Sequence, residues 1–146
     1  MKNRSKITRV QLNIGQNEDF SLFGIVSSEP DYKLSLSLNK KLNITLRNSK
    51  PISIKGEKND EVHFSRFSDQ TGSQGYSTNL ISNKSGSSLL LKKFSKIDYI
   101  LQIHSYGSEL NPDDLALSLR GIDTITAVFV LETSEIRDKN LQYLIP

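Results

Sequence analysis

Histidine is the side chain best suited to proton transfer near neutral pH, and this sequence of 146 residues contains two, His63 and His104. Each lies in a stretch whose pattern predicts a β-strand, EVHFSRFS and IDYILQIHSY. Alternation places His104 on the same strand face as Asp98 and Gln102. The two rings can meet only if their strands pair suitably, so we do not expect a two-histidine site.

Other reactive combinations lack the necessary spacing. Serine is frequent, but neither a GxSxG elbow nor a Ser-x-x-Lys motif with supporting partners is present. The adjacent Asp113 and Asp114 are explained by the positive end of a predicted helix, and successive helical residues do not face each other. With no cysteine, thiolate metal sites are excluded. We therefore expect no catalytic residues, metal or cofactor.

A cationic segment is the most suggestive local binding patch. It comprises Lys92, Lys93 and Lys96, with Phe94 among them. The net charge is +3, and residues 1–60 carry eleven Lys and Arg against six Asp and Glu. Clustered lysines attract polyanions such as RNA by releasing counterions, although scattered lysines more often form a solvated face. Phe94 has an alternative role as the anchor of its loop.

The triplet IDY contains a second pair of candidate residues. Asp98 and Tyr99 are neighbours in a predicted strand and so point to opposite faces, which prevents them from acting on one ligand. A structural interpretation is favoured, in which Tyr99 packs in the core with its hydroxyl at the edge and Asp98 caps or pairs locally. The candidate binding residues are therefore Lys92, Lys93, Phe94, Lys96, Asp98 and His104.

Two helices are predicted from their end signals. The first spans residues 29–42, with a capping-box spacing from Ser28 to Asp31, Pro30 in the first turn and Asn43 as a left-handed last residue. The second begins with Asn111 as N-cap and Pro112 at the first helical position, and Gly121 ends it. Its buried stripe consists of Leu115 and Leu119, joined by Ile122.

Strands account for most of the remaining apolar pattern. The segment DFSLFGIVSS predicts a central strand in which Gly24 permits a close approach. EVHFSRFS and YSTNLISNK predict two strands joined as a hairpin. IDYILQIHSY predicts a strand with Ile97 and Tyr99 on its core face, and TITAVFVLE predicts a last strand. A first extended segment is expected at residues 7–14 and a short helix at 133–141. Residues 44–59 are interpreted as an irregular connection with room for one short strand.

Two strand-helix-strand units separated by a hairpin indicate an α+β fold. We expect a mainly antiparallel sheet with two helices packed on one face, ferredoxin-like with one or two extra strands. Residues 1–146 should form a single domain, frayed at residues 1–5 and at the last few residues. No apolar run approaches the length of a membrane helix and no signal peptide is recognised, so a cytoplasmic location is expected.

Residues 91–99, LKKFSKIDY, resemble the signature of the IPExxxVDY family, small proteins of the Bacteroidota. Leu91 occupies the Ile position and Ile97 the Val position, whereas Asp98 and Tyr99 match directly. Lysines replace the Pro and Glu, so a role for the family's acidic residue does not carry over. The likeness extends over most of the chain, including FSLFGIVSSEPDYKLSLSLNKKLNI and LISNKS. It implies no activity.

These patterns favour a non-enzymatic binding or adaptor protein that contacts a protein partner, or a second copy of itself, through its sheet face or edge. The alternative is an RNA-associated accessory factor that uses the basic N-terminal half and the Lys92, Lys93 and Lys96 patch. An enzyme is the third hypothesis, which requires a polar pocket with His63 or His104 beside an acid.

Overall fold

The computed structural model describes residues 18–56, 58–72, 75–106 and 111–145, so the extended segment expected at residues 7–14 lies outside the described residues. The described elements are, in order, β1 (Glu18–Ser27), α1 (Asp31–Leu42), β2 (Arg47–Lys55), β3 (Glu61–Asp69), β4 (Tyr76–Ser82), β5 (Lys84–Ser85), β6 (Ser88–Leu89), β7 (Tyr99–Tyr106), α2 (Pro112–Arg120) and β8 (Ile125–Leu131). Two short 3-10 helices follow, Thr133–Glu135 and Lys139–Tyr143.

Six strands form one antiparallel sheet in the order β2-β3-β4-β7-β1-β8, and β5 pairs with β6 in a separate small hairpin. Within the sheet, β1 and β4 flank β7, while β7 and β8 flank β1. A helix follows β1 and another follows β7, so these four strands have the split strand-helix-strand arrangement of ferredoxin-like folds. Strands β2 and β3 add two strands at one side. The predicted fold class is confirmed, and β1 is a central strand.

The ends of α2 agree with the predicted signals. The side chain of Asn111 accepts hydrogen bonds from the backbone N–H groups of Asp113 at 3.0 Å and Asp114 at 3.2 Å. Pro112 is the first helical residue, and Gly121 follows the last one. These signals involve residues within about one turn of the helix end, which is why they could be recognised in the sequence.

The start of α1 differs from the prediction. The helix begins at Asp31, not Glu29, and no side chain caps it, so the capping box from Ser28 is wrong. Glu29 precedes Pro30, and the proline ring disfavours helical dihedral angles in the residue before it. At the other end Asn43 has φ 56° and ψ 48°, which confirms the left-handed last residue.

Strand β2 was not expected as a regular nine-residue element. It forms where the sequence predicted an irregular connection, and its pairing with β3 shifts register between Ser49 and Ile52. Pro51 lies within that irregularity, and β2 is an edge of the described sheet; both are settings in which a strand accepts proline. The proline therefore marked an edge strand, not a loop.

One apolar cluster holds both helices against a single face of the sheet. Leu34 and Leu38 of α1 and Leu119 of α2 pack there with Phe23 of β1 and Leu101 of β7. All five side chains are fully buried. The prediction that two helices share one face is confirmed, and each such side chain contributes about 1.5 to 3 kcal/mol by leaving water.

A second apolar cluster covers the opposite face. Its members are Leu22, Ile52, Phe64, Ile81, Leu90, Leu91, Ile97, Ile100, Leu131, Ile136 and Leu144. Ile97 belongs to this cluster, so its predicted place beside Tyr99 is wrong: β7 starts at Tyr99, and a turn from Phe94 to Ile97 interrupts the alternation. A Cβ atom on Gly24 would lie 2.3 Å from Cδ1 of Ile97, which confirms the close approach. Residues 83–98 and 132–145 thus form a third layer.

A buried carboxylate joins two connections at the side of the sheet. Asp69 is 4% exposed and accepts hydrogen bonds from the Thr45 N–H at 2.8 Å, and from the N–H and hydroxyl of Thr71 at 2.9 and 2.6 Å. Burial acts to raise the pKa of Asp69, but these hydrogen bonds and the positive charge of Arg47 outweigh it and lower the pKa. Asp69 is therefore a charged structural group.

Candidate functional site

The segment that resembles the family signature is folded around a buried asparagine. The side-chain amide of Asn83 donates to the carbonyls of Phe94 at 2.9 Å and Ile97 at 3.0 Å, and its Oδ1 accepts from the N–H of Leu91 at 2.8 Å. Asn83 is completely buried. Both amide protons and the carbonyl oxygen have partners, so this residue fixes the path of residues 91–97.

Asp98 ties this segment to the end of β1. Its Oδ2 accepts from the N–H of Ser27 at 2.9 Å, and its Oδ1 lies 2.9 Å from Nζ of Lys84. Its backbone N–H donates to the carbonyl of Ile25 at 2.9 Å. Both carboxylate oxygens are engaged within the protein, as the structural interpretation of Asp98 predicted.

Tyr99 connects the same segment to the start of α1. The ring is 8% exposed, and the hydroxyl donates to the carbonyl of Glu29 at 2.5 Å. Burial raises the pKa of Tyr99 to about 12, and the nearby carboxylates of Asp31, Asp98 and Glu29 contribute in the same direction. The hydroxyl remains a donor at neutral pH. The signature-like residues Leu91, Ile97, Asp98 and Tyr99 therefore all have structural contacts.

The predicted lysine patch is divided by the fold. Phe94 is half-buried against the second apolar cluster, which supports its role as a loop anchor, and Nζ of Lys93 lies 5.8 Å from its ring centroid. Lys96 is exposed. Lys92 lines a cleft whose lining includes neither Lys93 nor Lys96. The side chains of Lys92, Lys93 and Lys96 are therefore close in the sequence but do not share one site in the structure.

This cleft, which we call the lysine cleft, has a volume of about 580 Å³. It lies between the tip of the β2–β3 hairpin, the β5–β6 turn and the second 3-10 helix. Four exposed lysines line it: Lys55, Lys58, Lys92 and Lys139. Asp60 is the one carboxylate in the part of the lining that the structure describes. The ion pair found within the described ranges is that of Lys84 with Asp98, so these four ammonium groups have no carboxylate partner there.

The remaining lining of the lysine cleft is hydroxyl-bearing or apolar. Ser87 and Ser88 contribute hydroxyl groups from the β5–β6 turn. The apolar part consists of Ile54, Val62, Phe64 and Leu89. Among these lining residues only Lys92 belongs to the predicted patch, because the other members come from separate segments with no shared motif.

The two histidines do not form a joint site. His63 is exposed, and its Nδ1 lies 2.7 Å from the hydroxyl of Ser53 on β2. His63 projects from the face of β3 opposite Phe64, whereas His104 of β7 shares the face of Ile100 in the second cluster. Strand β4 separates their strands. Over the residues that the structure describes, no group of three or more His, Asp and Glu could hold a metal ion.

Comparisons with known proteins find no match to a family model and none among curated proteins. The likeness to the IPExxxVDY family therefore stays a prediction that depends on residues 91–99 and the segments around them. In the described part of the chain, neither α-helix has the length and apolar character required to cross a bilayer.

Proposed function

We propose that this chain is a non-enzymatic binding protein of the cytoplasm. One observation carries the proposal: the side chains with reactive chemistry are dispersed, while cations without an ion-pair partner among the described residues are concentrated in the lysine cleft. His63 and His104 lie on opposite faces of the sheet, and Asp98 is engaged by Ser27 and Lys84. Binding needs complementary surface and charge, which this arrangement offers; catalysis needs converging acid, base and nucleophile.

A protein partner is best accommodated at the edge of the sheet. Both faces of the sheet carry packed layers, so we place the proposed contact with a partner at the sheet edge and not on an open sheet face. Strand β8 is an edge of the described sheet, and Phe129 on it is 49% exposed. Edge strands present backbone groups that a further strand can pair with. Arg120 donates to the Val128 carbonyl at 2.9 Å and so covers part of this strand.

Substitution at the edge tests the protein-binding proposal. We expect Phe129→Lys to abolish association with a partner or a second copy, because a charge would replace the exposed ring. Leu36→Lys is a matched control, since Leu36 is 64% exposed and belongs to α1, not to the sheet. Sedimentation velocity and affinity capture would measure the association. A wild-type protein that is monomeric and recovers nothing, or a Phe129→Lys variant that binds normally, contradicts the proposal.

An RNA-associated role is the second candidate, and the convergence of Lys92 with three other lysines favours it. Four phosphate contacts to a single strand give a slope of about −2.8 in log affinity against log salt, or roughly a 50-fold loss between 50 and 200 mM. Filter binding of single-stranded RNA over this range measures the slope. Absence of binding at the lowest salt removes this candidate.

A further inference from the structure

We propose that the lysine cleft is a binding site for a small organic phosphate that carries two or more negative charges. This site would give the proposed binding function a ligand class. It rests on that proposed function only in assuming that the ligand is bound and not chemically converted. It does not depend on whether the β8 edge has a partner.

The charge of the lysine cleft indicates an anion. Lys55 and Lys58 come from the β2–β3 hairpin, Lys92 from the segment after β6, and Lys139 from the second 3-10 helix. Like charges held around one cleft repel each other, and among the described lining residues Asp60 is the one carboxylate. An anion with several charges relieves this repulsion, and a cleft lined by one sign of charge also raises the local concentration of such ligands.

The charge of the lining suits a phosphate group better than a carboxylate. The described lining supplies lysines, which bind phosphate as point charges, and a phosphate monoester places nearly two negative charges on one group where a carboxylate places one. A lysine ammonium is a compact charge with three donors that can approach a tetrahedral phosphate from several directions. The hydroxyls of Ser87 and Ser88 add neutral donors at the same cleft.

The apolar part of the lining indicates a ligand with an organic body. Ile54, Val62 and Leu89 are half-buried, and Phe64 is buried. A free phosphate ion would leave this surface uncovered. The volume of about 580 Å³ lies within the range of about 300 to 1,000 Å³ that is usual for small-molecule sites. The ligand is therefore a phosphate ester with an apolar or ring-containing portion.

Two hydrogen bonds hold separate walls of the cleft together. Asn140 donates from its side chain to the carbonyl of Leu90 at 2.7 Å, and the N–H of Lys92 donates to Oδ2 of Asp138 at 3.0 Å. Asp138 also accepts from the N–H of Asn140 at 2.9 Å. These contacts place Lys92 and Lys139 at one cleft although they are far apart in the chain, so the protein does not spend binding energy on bringing them together.

Calorimetric titration of the full chain with ADP and with pyrophosphate, both without divalent metal, tests the site. We expect both probes to bind and ADP to bind more tightly, because its nucleoside covers the apolar lining. Lys92→Ala and Lys139→Ala should each weaken binding at least about fivefold, whereas Lys96→Ala should change it less than about twofold. Asp60→Asn should strengthen binding, because it removes the carboxylate from the lining.

Lysine acetylation followed by mass spectrometry locates the bound probe. ADP should protect Lys55, Lys58, Lys92 and Lys139 and leave Lys93 and Lys96 reactive. Absence of binding by both probes, or equal protection of Lys96, overturns the proposal. So does protection of the four lysines by an oligoribonucleotide but not by ADP, a result that keeps the RNA candidate. The Phe129→Lys experiment tests protein association at the β8 edge and does not involve the lysine cleft. Failure of the phosphate-site proposal can therefore be distinguished from failure of the proposed protein binding.

Discussion

Two polar regions that lie side by side in this protein differ in how their groups are paired. Around Asn83 each side-chain donor and acceptor has a partner within the chain, and the group is completely buried. In the lysine cleft, four exposed ammonium groups have no ion-pair partner among the described residues, of which Asp60 is the one carboxylate in the lining. Internal pairing of this kind stabilises one path of the backbone, whereas unpaired charge on a surface leaves interaction energy available to a ligand. The difference separates structural polar residues from candidate binding residues.

The largest loss of stability is expected from Asn83→Leu. This change leaves the N–H of Leu91 and the carbonyl of Ile97 without their partner and removes one of the two hydrogen bonds to the carbonyl of Phe94. Each buried unpaired group costs about 1 to 3 kcal/mol. We expect the free energy of unfolding to fall by about 3 to 5 kcal/mol. Urea denaturation measures it, with Asn48→Ala on the exposed part of β2 as control. Equal effects of the two substitutions would disprove the structural role of Asn83.

Asp69→Asn should have the next largest effect, and it should depend on pH. The folded state lowers the pKa of Asp69 below its ordinary value of 3.8, so its stabilisation is present above that value and is lost as the pH falls through the folded pKa. At pH 7 we expect a loss of about 2 kcal/mol, since hydrogen bonds to a charged group contribute about 1.5 to 3 kcal/mol. The stability difference from wild type should shrink below pH 4. A difference that is constant from pH 7 to pH 2 would contradict this account.

A smaller loss of about 1 kcal/mol is expected for Tyr99→Phe, which removes one hydrogen bond and keeps the ring. Because the folded pKa of Tyr99 is raised to about 12, its stabilisation is present below pH 10 and is lost as the pH rises from 10 toward 12. Unfolding measurements at pH 8 and above compare the variant with wild type. Tyr143→Phe is a control on an exposed ring. If the Tyr99→Phe difference does not change with alkaline pH, the hydroxyl is not the group responsible.

The smallest change in stability is expected from the double variant Lys92→Ala and Lys139→Ala. Their ammonium groups have no ion-pair partner among the described residues, so their loss should alter the free energy of unfolding by less than about 0.5 kcal/mol. The same variant should lose affinity for ADP. A marked destabilisation would show that these lysines have structural partners and would remove the contrast between the two regions.

The sequence was sufficient where the determinants are local. Asn111 with Pro112 predicted the start of α2, and Asn43 predicted the end of α1, because a cap involves residues within one turn. The alternation in β7 was visible from Tyr99 onward. In contrast, Ile97 was assigned to the wrong face, because the turn that precedes Tyr99 is held by Asn83 and not by a neighbouring residue.

The lysine cleft could not be predicted for the same reason. Lys92 was identified from its neighbours in the chain, Lys93 and Lys96, which do not line the cleft. Its actual companion, Lys139, reaches it through the packing of the second 3-10 helix on Leu90. No local pattern encodes that contact, whose donor and acceptor residues are 50 positions apart.

The third layer has a consequence for biosynthesis. Ile136 and Leu144 follow in the chain the sheet residues of their cluster, among them Leu22 and Ile100, so until they are synthesised, of the buried cluster members outside the sheet only Leu90, Leu91 and Ile97 cover this face. A nascent chain that lacks them exposes apolar surface there and is prone to association with chaperones.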